Sequence, residues 1–171
     1  METKSVDINA FLVKHQLPLK YQYISEQYFS AIAQDILTSK KTAPIFVAIN
    51  GCQGSGKTTL GDYLVTWFSQ NTHLNCVALS IDDFYLDKSQ RNALSIKVHP
   101  LLATRGVPGT HNMPLALDTF KQLKGSGQVA LPRFNKAIDD PFPVNQWPVV
   151  TAPPDIIILE GWCVGVTPQS A

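Results

Sequence analysis

The sequence predicts an α/β fold of three layers, with a mainly parallel sheet between helices. Two observations predict it. Apolar runs recur along the chain: "IFVAIN" (45–50) reads as a strand buried on both faces, "NCVALSI" (75–81) as a second strand, and "DIIILEG" (155–161) as a third, fully apolar one. The segments between them carry helical spacing, and strands separated by helices favour parallel pairing through right-handed crossovers.

Each element has a local reason. From Tyr21 to Lys40 the apolar positions Ile24, Tyr28, Ile32 and Ile36 recur at helical spacing, flanked by Phe29, Ala33 and Leu37. Pro44 then ends the helical pattern ahead of the first strand. Leu60, Leu64, Trp67 and Phe68 predict an amphipathic helix that ends near Asn71. Residues 87–97 predict a short helix capped by Asp87, and 115–123 a further one. Between them, 99–114 is rich in turn formers. The stretch 125–148 holds many Pro and Gly residues and reads as loop with brief strand pieces. Residues 1–171 are expected to form a single domain, with an N-terminal helical segment over 1–43 and a core over 44–171.

Composition narrows the function classes. The chain has 171 residues, 44% of them hydrophobic and 16% charged, as in an ordinary globular protein. A net charge of +1 gives no reason to expect a nucleic-acid or membrane partner, while small anions need only local positive charge. The N-terminus lacks the continuous apolar core of a secretory signal, and no apolar run approaches the ~20 residues of a membrane span. Cys52, Cys76 and Cys163 are odd in number and read as reduced thiols, so a cytoplasmic location is expected. Four scattered histidines make a structural zinc site a poor reading.

The stretch "INGCQGSGKTTLGDYL" (49–64) carries the chemistry. Gly51-x-x-x-x-Gly56-Lys57-Thr58 matches a P-loop in the required context, between a buried strand and a helix. Gly51, Gly54 and Gly56 let the backbone turn tightly enough for N–H groups from Gly51 through Cys52, Gln53 and Ser55 to Thr59 to converge on phosphate oxygens. The helix starting near Gly56 aims its positive end at the same point. Lys57 would reach the β- and γ-phosphates, and the Thr58 hydroxyl would ligate Mg²⁺. ATP and Mg²⁺ are therefore the expected cofactors, and the fold class becomes an α/β/α fold of the P-loop NTPase type.

A P-loop does not by itself separate GTPases, motor ATPases and small-molecule kinases. "FNKAIDD" approximates a guanine-reading motif, but Asp139 falls one place late and ahead of the third strand. "LSIDDFY" (79–85) is more informative, because it puts Asp82 and Asp83 at the carboxyl end of the second strand, where open α/β sheets bind ligands. Asp82 there is the candidate base that orients an attacking alcohol, whereas Asp83 has an alternative role as a helix cap.

"GCQGSGKTT", "SIDDFY", "LLATRGVPGTHN", "LPRFNKAIDDP" and "IIILEGWCVG", in this order, resemble the D-glycerate 3-kinase family of P-loop kinases, related to phosphoribulokinase, uridine kinase and pantothenate kinase. The resemblance covers about residues 20 to 168. It implies transfer of the ATP γ-phosphoryl group to a hydroxyl of a small, anionic acceptor such as D-glycerate, with a nucleoside- or pantothenate-type kinase, or an idle nucleotide-binding module, as alternatives. It implies Asp82 as catalytic base beside Lys57, and Glu160 with Thr58 at Mg²⁺. Asp83, Tyr85, Arg105, His111, Arg133 and Lys136 fall where the acceptor is expected, Arg105 as a fork for a carboxylate or, alternatively, as a tie for its own glycine-rich loop. Asn112 and Asn135 stand where the family tends to have aspartate. Related kinases also continue beyond the third strand with a lid and an adenine-cupping loop. A chain ending ten residues after Gly161 is therefore expected to be C-terminally incomplete, inactive alone, and prone to self-association through the edge of "IFVAI".

Overall fold

The structure, a computed structural model, describes residues 6–167. These divide into two compact units: the residues up to Ala78 together with those from Pro154 onward, and Leu79–Pro153.

The first unit opens with α1 (Ile8–His15), capped by the Asp7 carboxylate on the Ala10 amide. A second helical stretch follows as α2 (Lys20–Ile24), one π-helical turn (Ser25–Phe29) and α3 (Ser30–Ser39). β1 (Ile45–Asn50) leads into the phosphate loop and α4 (Lys57–Asn71), and β7 (Ile156–Gly161) completes the unit. α4 buries Tyr63, Leu64, Trp67 and Phe68, which pack with Ile156 and Ile158 of β7 and with Phe11 of α1. The expected amphipathic face is thus the observed one.

β7 pairs with β1 in parallel, from Ile45 opposite Ile156 to Asn50 opposite Gly161. With β2 (Cys76–Ser80) the sheet order is β1-β7-β2, so the last of the described strands lies in the middle. The position explains the burial. Ile156, Ile157 and Ile158 are wholly buried, as a central strand requires.

Two sequence expectations need correcting in this unit. β1 is not buried on both faces: Ile45, Val47 and Ile49 pack on the core while Phe46, on the other face, is 46% exposed. It is an edge strand, pairing among the described residues with β7 alone, and an edge need not be covered on both faces. The buried stripe of the 20–39 stretch is also not Ile24, Tyr28, Ile32 and Ile36. Tyr28 and Ile32 are exposed, and Ser25, Ala33 and Ile36 are the buried positions. Strict spacing of four drifts by about 40° per step around an α-helix, and the π turn shifts the phase once more.

The second unit begins within β2, whose last residues continue into a 3₁₀ turn (Ile81–Phe84). α5 (Lys88–Lys97) is capped by Asp87, as the sequence predicts, in a reciprocal pair with Gln90. α6 (Met113–Lys124) is capped by Asn112, whose Oδ1 accepts from the Leu115 amide. β3 (Gly127–Ala130) pairs antiparallel with β6 (Val149–Ala152). β4 (Phe134–Asn135) pairs likewise with β5 (Asp140–Pro141), forming a short hairpin whose tip is 136–139. β3, β4 and β5 are the brief strands foreseen in the Pro/Gly-rich stretch, while β6 lies just past it in residues for which the sequence predicts no element. No helix of the described residues is long and apolar enough to cross a membrane.

Candidate functional site

In the first unit the loop 51–56 follows β1 directly. Its exposed residues Cys52, Gln53, Gly54 and Ser55 are held by one internal turn, the Ser55 amide donating to the Cys52 carbonyl at 3.2 Å. The Gly51 amide donates to the Gly161 carbonyl at 3.3 Å and extends the β1–β7 ladder to the base of the loop. Glycine matters at two of these positions for different reasons. A methyl group on Gly51 would lie 2.6 Å from Ser55 Oγ and force that hydroxyl to turn away, and Gly56 has φ +87°, which side-chain-bearing residues rarely adopt. Lys57 Nζ folds back onto the Cys52 carbonyl at 3.3 Å, a weak contact that a phosphate oxygen would replace.

Thr58 Oγ1 donates to Glu160 Oε1 at 2.9 Å, joining the first turn of α4 to the end of β7. Glu160 is 5% exposed, and its Oε2 is buried without a hydrogen-bond partner among the described residues. A hydroxyl and a carboxylate with spare acceptor capacity, beside a phosphate loop, are hard oxygen donors that fit Mg²⁺. Thr58 and Glu160, expected together from the sequence, are together.

The second unit assembles a cluster around Asp82. Tyr85 Oη donates to Asp82 Oδ1 at 2.8 Å and Lys136 Nζ to Oδ2 at 2.6 Å. Burial pushes the Asp82 carboxyl upward, but the hydrogen bonds from Lys136 and Tyr85 and the Lys136 charge outweigh it and hold the group below the usual carboxylate range. Asp82 is therefore ionised at neutral pH. The Tyr85 ring is set by stacking on His111, centroids 4.5 Å apart, and by an edge contact with Phe134. Backbone bonds from Leu86 to Thr110 and from Asn112 to Phe84 fix these two segments side by side.

Asp83 has a different position. Its carboxylate accepts from the Ser80 and Phe134 amides and pairs with Arg133 at 3.0 Å. Burial pushes its carboxyl above the ordinary value despite those partners. Arg133 also donates to the Pro132 carbonyl. These contacts make Asp83 and Arg133 a tie between the 3₁₀ turn and β4.

Arg105, read from sequence as a fork for a carboxylate or a tie for its own loop, donates to Asp139 Oδ1 at 2.6 Å and to the Lys136 carbonyl. Asp139 Oδ2 takes Arg91 Nη2 at 2.7 Å. Both guanidiniums lie over the Phe134 ring, 5.7 and 5.9 Å from its centroid. Sequence reasoning missed Arg91, which sits mid-helix in a polar run and is wholly buried. Asp139 was visible only as part of an ill-spaced guanine motif. Asp139→Asn is expected to destabilise the chain by about 3 kcal/mol, because Arg91 would keep a buried charge without a counter-charge. Urea unfolding of both proteins measures it.

His111 is shifted below its ordinary 6.5 by burial, which the Asp82 charge only partly offsets. A depressed folded value means the unfolded chain binds the extra proton first. Stability is then complete above pH 6.5 and falls as the pH drops toward the folded value. Thermal melts at pH 7.5 and 5.5 should show a larger drop for wild type than for His111→Asn.

The chain matches the phosphoribulokinase/uridine kinase family over residues 46–168. It is 31% identical over 138 residues to a chloroplastic D-glycerate 3-kinase of Arabidopsis thaliana, covering 75% of this chain and 30% of that one. It is 33% identical over 139 residues to the probable ATP-dependent kinase TDA10 of Saccharomyces cerevisiae, covering 73% and 47%. Among solved structures, D-glycerate 3-kinase from Cryptococcus neoformans aligns with a TM-score of 0.68 at 28% identity, covering 84% of this chain and 55% of that one. The chain thus spans about half, or less, of the length of these relatives. The fold is the α/β fold of P-loop kinases. On the matched residues, which run from β1 past Glu160, the chain belongs to the phosphoribulokinase/uridine kinase family.

Proposed function

We propose that this chain is the nucleotide-binding part of an ATP-dependent kinase that phosphorylates a hydroxyl of a small anionic acceptor, D-glycerate being the first candidate. The observation that carries the reading is the Thr58–Glu160 contact at the mouth of the phosphate loop, with its buried, unpartnered Glu160 oxygen. The loop amides and Lys57 would hold the triphosphate, and Thr58 with Glu160 would hold Mg²⁺. When bound, Mg²⁺ supplies charge neutralisation on the phosphate oxygens. Asp82 would accept a hydrogen bond from the acceptor hydroxyl and take its proton as the oxygen–phosphorus bond forms and ADP leaves. Phosphoryl transfer through a loose transition state asks for orientation more than for strong basicity, so a low-lying carboxylate suffices. Lys136 and Tyr85 each occupy one site on the Asp82 oxygens, and the remaining lone pairs leave room for the acceptor hydroxyl.

D-glycerate as acceptor is supported by the two glycerate kinases among the relatives. A cytoplasmic setting and self-association through the β1 edge belong to the same proposal. The test is ADP release by a form of the enzyme that carries the later kinase segments, with Mg²⁺-ATP and, in turn, glycerate, pantothenate, uridine and ribulose 5-phosphate. Turnover with glycerate and with none of the other three is the expected result, and residues 1–171 by themselves should show none. Turnover with none, despite tight ATP binding, would favour the reading of an idle nucleotide-binding module.

A further inference from the structure

The N-terminal helical stretch contains one feature that packing alone does not require. Tyr21, in α2, brings its hydroxyl to 3.1 Å from the point where a Cβ on Gly56 would lie. Gly56 is the residue that caps α4 and precedes Lys57, so the phenol sits against the end of the loop where phosphate oxygens would be held. Tyr21 Oη makes no hydrogen bond among the described residues. Its ring rests edge-on against Phe29, 6.3 Å between centroids, and Phe29 rests on Tyr63 of α4.

The π turn accounts for this placement. At about 100° per residue, Tyr21 and Ala33 would lie about 120° apart on an unbroken α-helix. One extra residue taken up by the Ser25–Phe29 turn reduces the difference to about 20°. Tyr21 therefore shares a face with Ala33, which is wholly buried. Between them Ser25 is also wholly buried, its Oγ without a hydrogen-bond partner among the described residues. The chain thus accepts an irregular turn and an unpaired hydroxyl, and in return a second hydroxyl stands at the phosphate loop.

We propose that Tyr21 is a further ligand of the nucleotide, donating a hydrogen bond from Oη to a phosphate oxygen held at the Gly56–Lys57 end of the loop. The proposal rests on the nucleotide reading given above. Its occupant is a phosphate chain, so a base-free polyphosphate serves as a probe alongside a nucleotide.

The experiment is calorimetric titration of the full 171-residue chain, as wild type, Tyr21→Phe and Lys57→Ala, with Mg²⁺ and either a non-hydrolysable ATP analogue or inorganic tripolyphosphate. Phenylalanine keeps the ring contacts with Phe29, and a thermal melt verifies that the fold is retained. Tyr21→Phe is expected to weaken both probes about tenfold, the usual worth of a hydrogen bond to a charged group. Wild-type affinity in Tyr21→Phe, with binding lost in Lys57→Ala, would overturn the proposal and leave the nucleotide reading intact. Weakening toward the analogue alone would also overturn it, by assigning the hydroxyl to the base or sugar. Failure of wild type to bind either probe would remove both readings together.

Discussion

Asp82→Asn is expected to lower kcat by about 10²–10⁴ and to leave nucleotide affinity within about twofold. Asparagine keeps the shape and can still accept from Tyr85 Oη, which donates to Asp82 Oδ1 at 2.8 Å. It loses the charge that holds Lys136 and the acceptor hydroxyl, so the loss falls on the chemical step. Asp83→Asn separates the two carboxylates by a different readout. Asp83 anchors Arg133 and two backbone amides, so its replacement should cost stability in urea, with kcat per folded molecule much less affected. Single-turnover rates on the active enzyme, with nucleotide titrations on the same samples, check both. A larger kinetic loss for Asp83→Asn would move the base assignment one residue along.

Lys57→Ala should weaken binding of a non-hydrolysable ATP analogue by about 100-fold or more, corresponding to about 3 kcal/mol. The fold should be untouched, since among the described residues Lys57 Nζ makes one hydrogen bond, a long one to the Cys52 carbonyl. Fluorescence or calorimetric titration measures the affinity, and coincident melting curves establish that the mutant is folded. Equal affinities would remove Lys57 from the phosphate site.

Much of this architecture was legible in the sequence because it depends on short-range rules. The glycine spacing of 51–56, the apolar run of β7 and the Asp87 cap each state their conformation locally. The Thr58–Glu160 contact was legible for a different reason: a motif fixed both ends of a pairing that the sheet then brings together. What remained hidden depends on phase and on distant partners. The 20–39 stripe could not be assigned correctly without the π turn, which has no clear signature in "SEQYF". β1 and β7 are similar apolar runs, and only the strand order makes one an edge and the other a centre. Arg91 and Arg105 converge on Asp139 from separate segments, so no spacing rule in the sequence links them.

The strand order also has a consequence for how the molecule is made. During synthesis β1, the phosphate loop and α4 emerge early, yet their partner β7 begins at Ile156, more than eighty residues after α4 ends at Asn71. Until then Leu64, Trp67 and Phe68 lack the isoleucines they pack on, and the Gly51 amide lacks its carbonyl at Gly161. Closing so long a loop before any ladder bond forms is entropically costly, and such topologies fold slowly. The nascent chain is thus left with an apolar helix face uncovered while those eighty-odd residues are added, when aggregation and chaperone capture compete with folding. Refolding from urea should accordingly be dominated by a step that Ile158→Ala slows, because docking of β7 between β1 and β2 is the event that joins them.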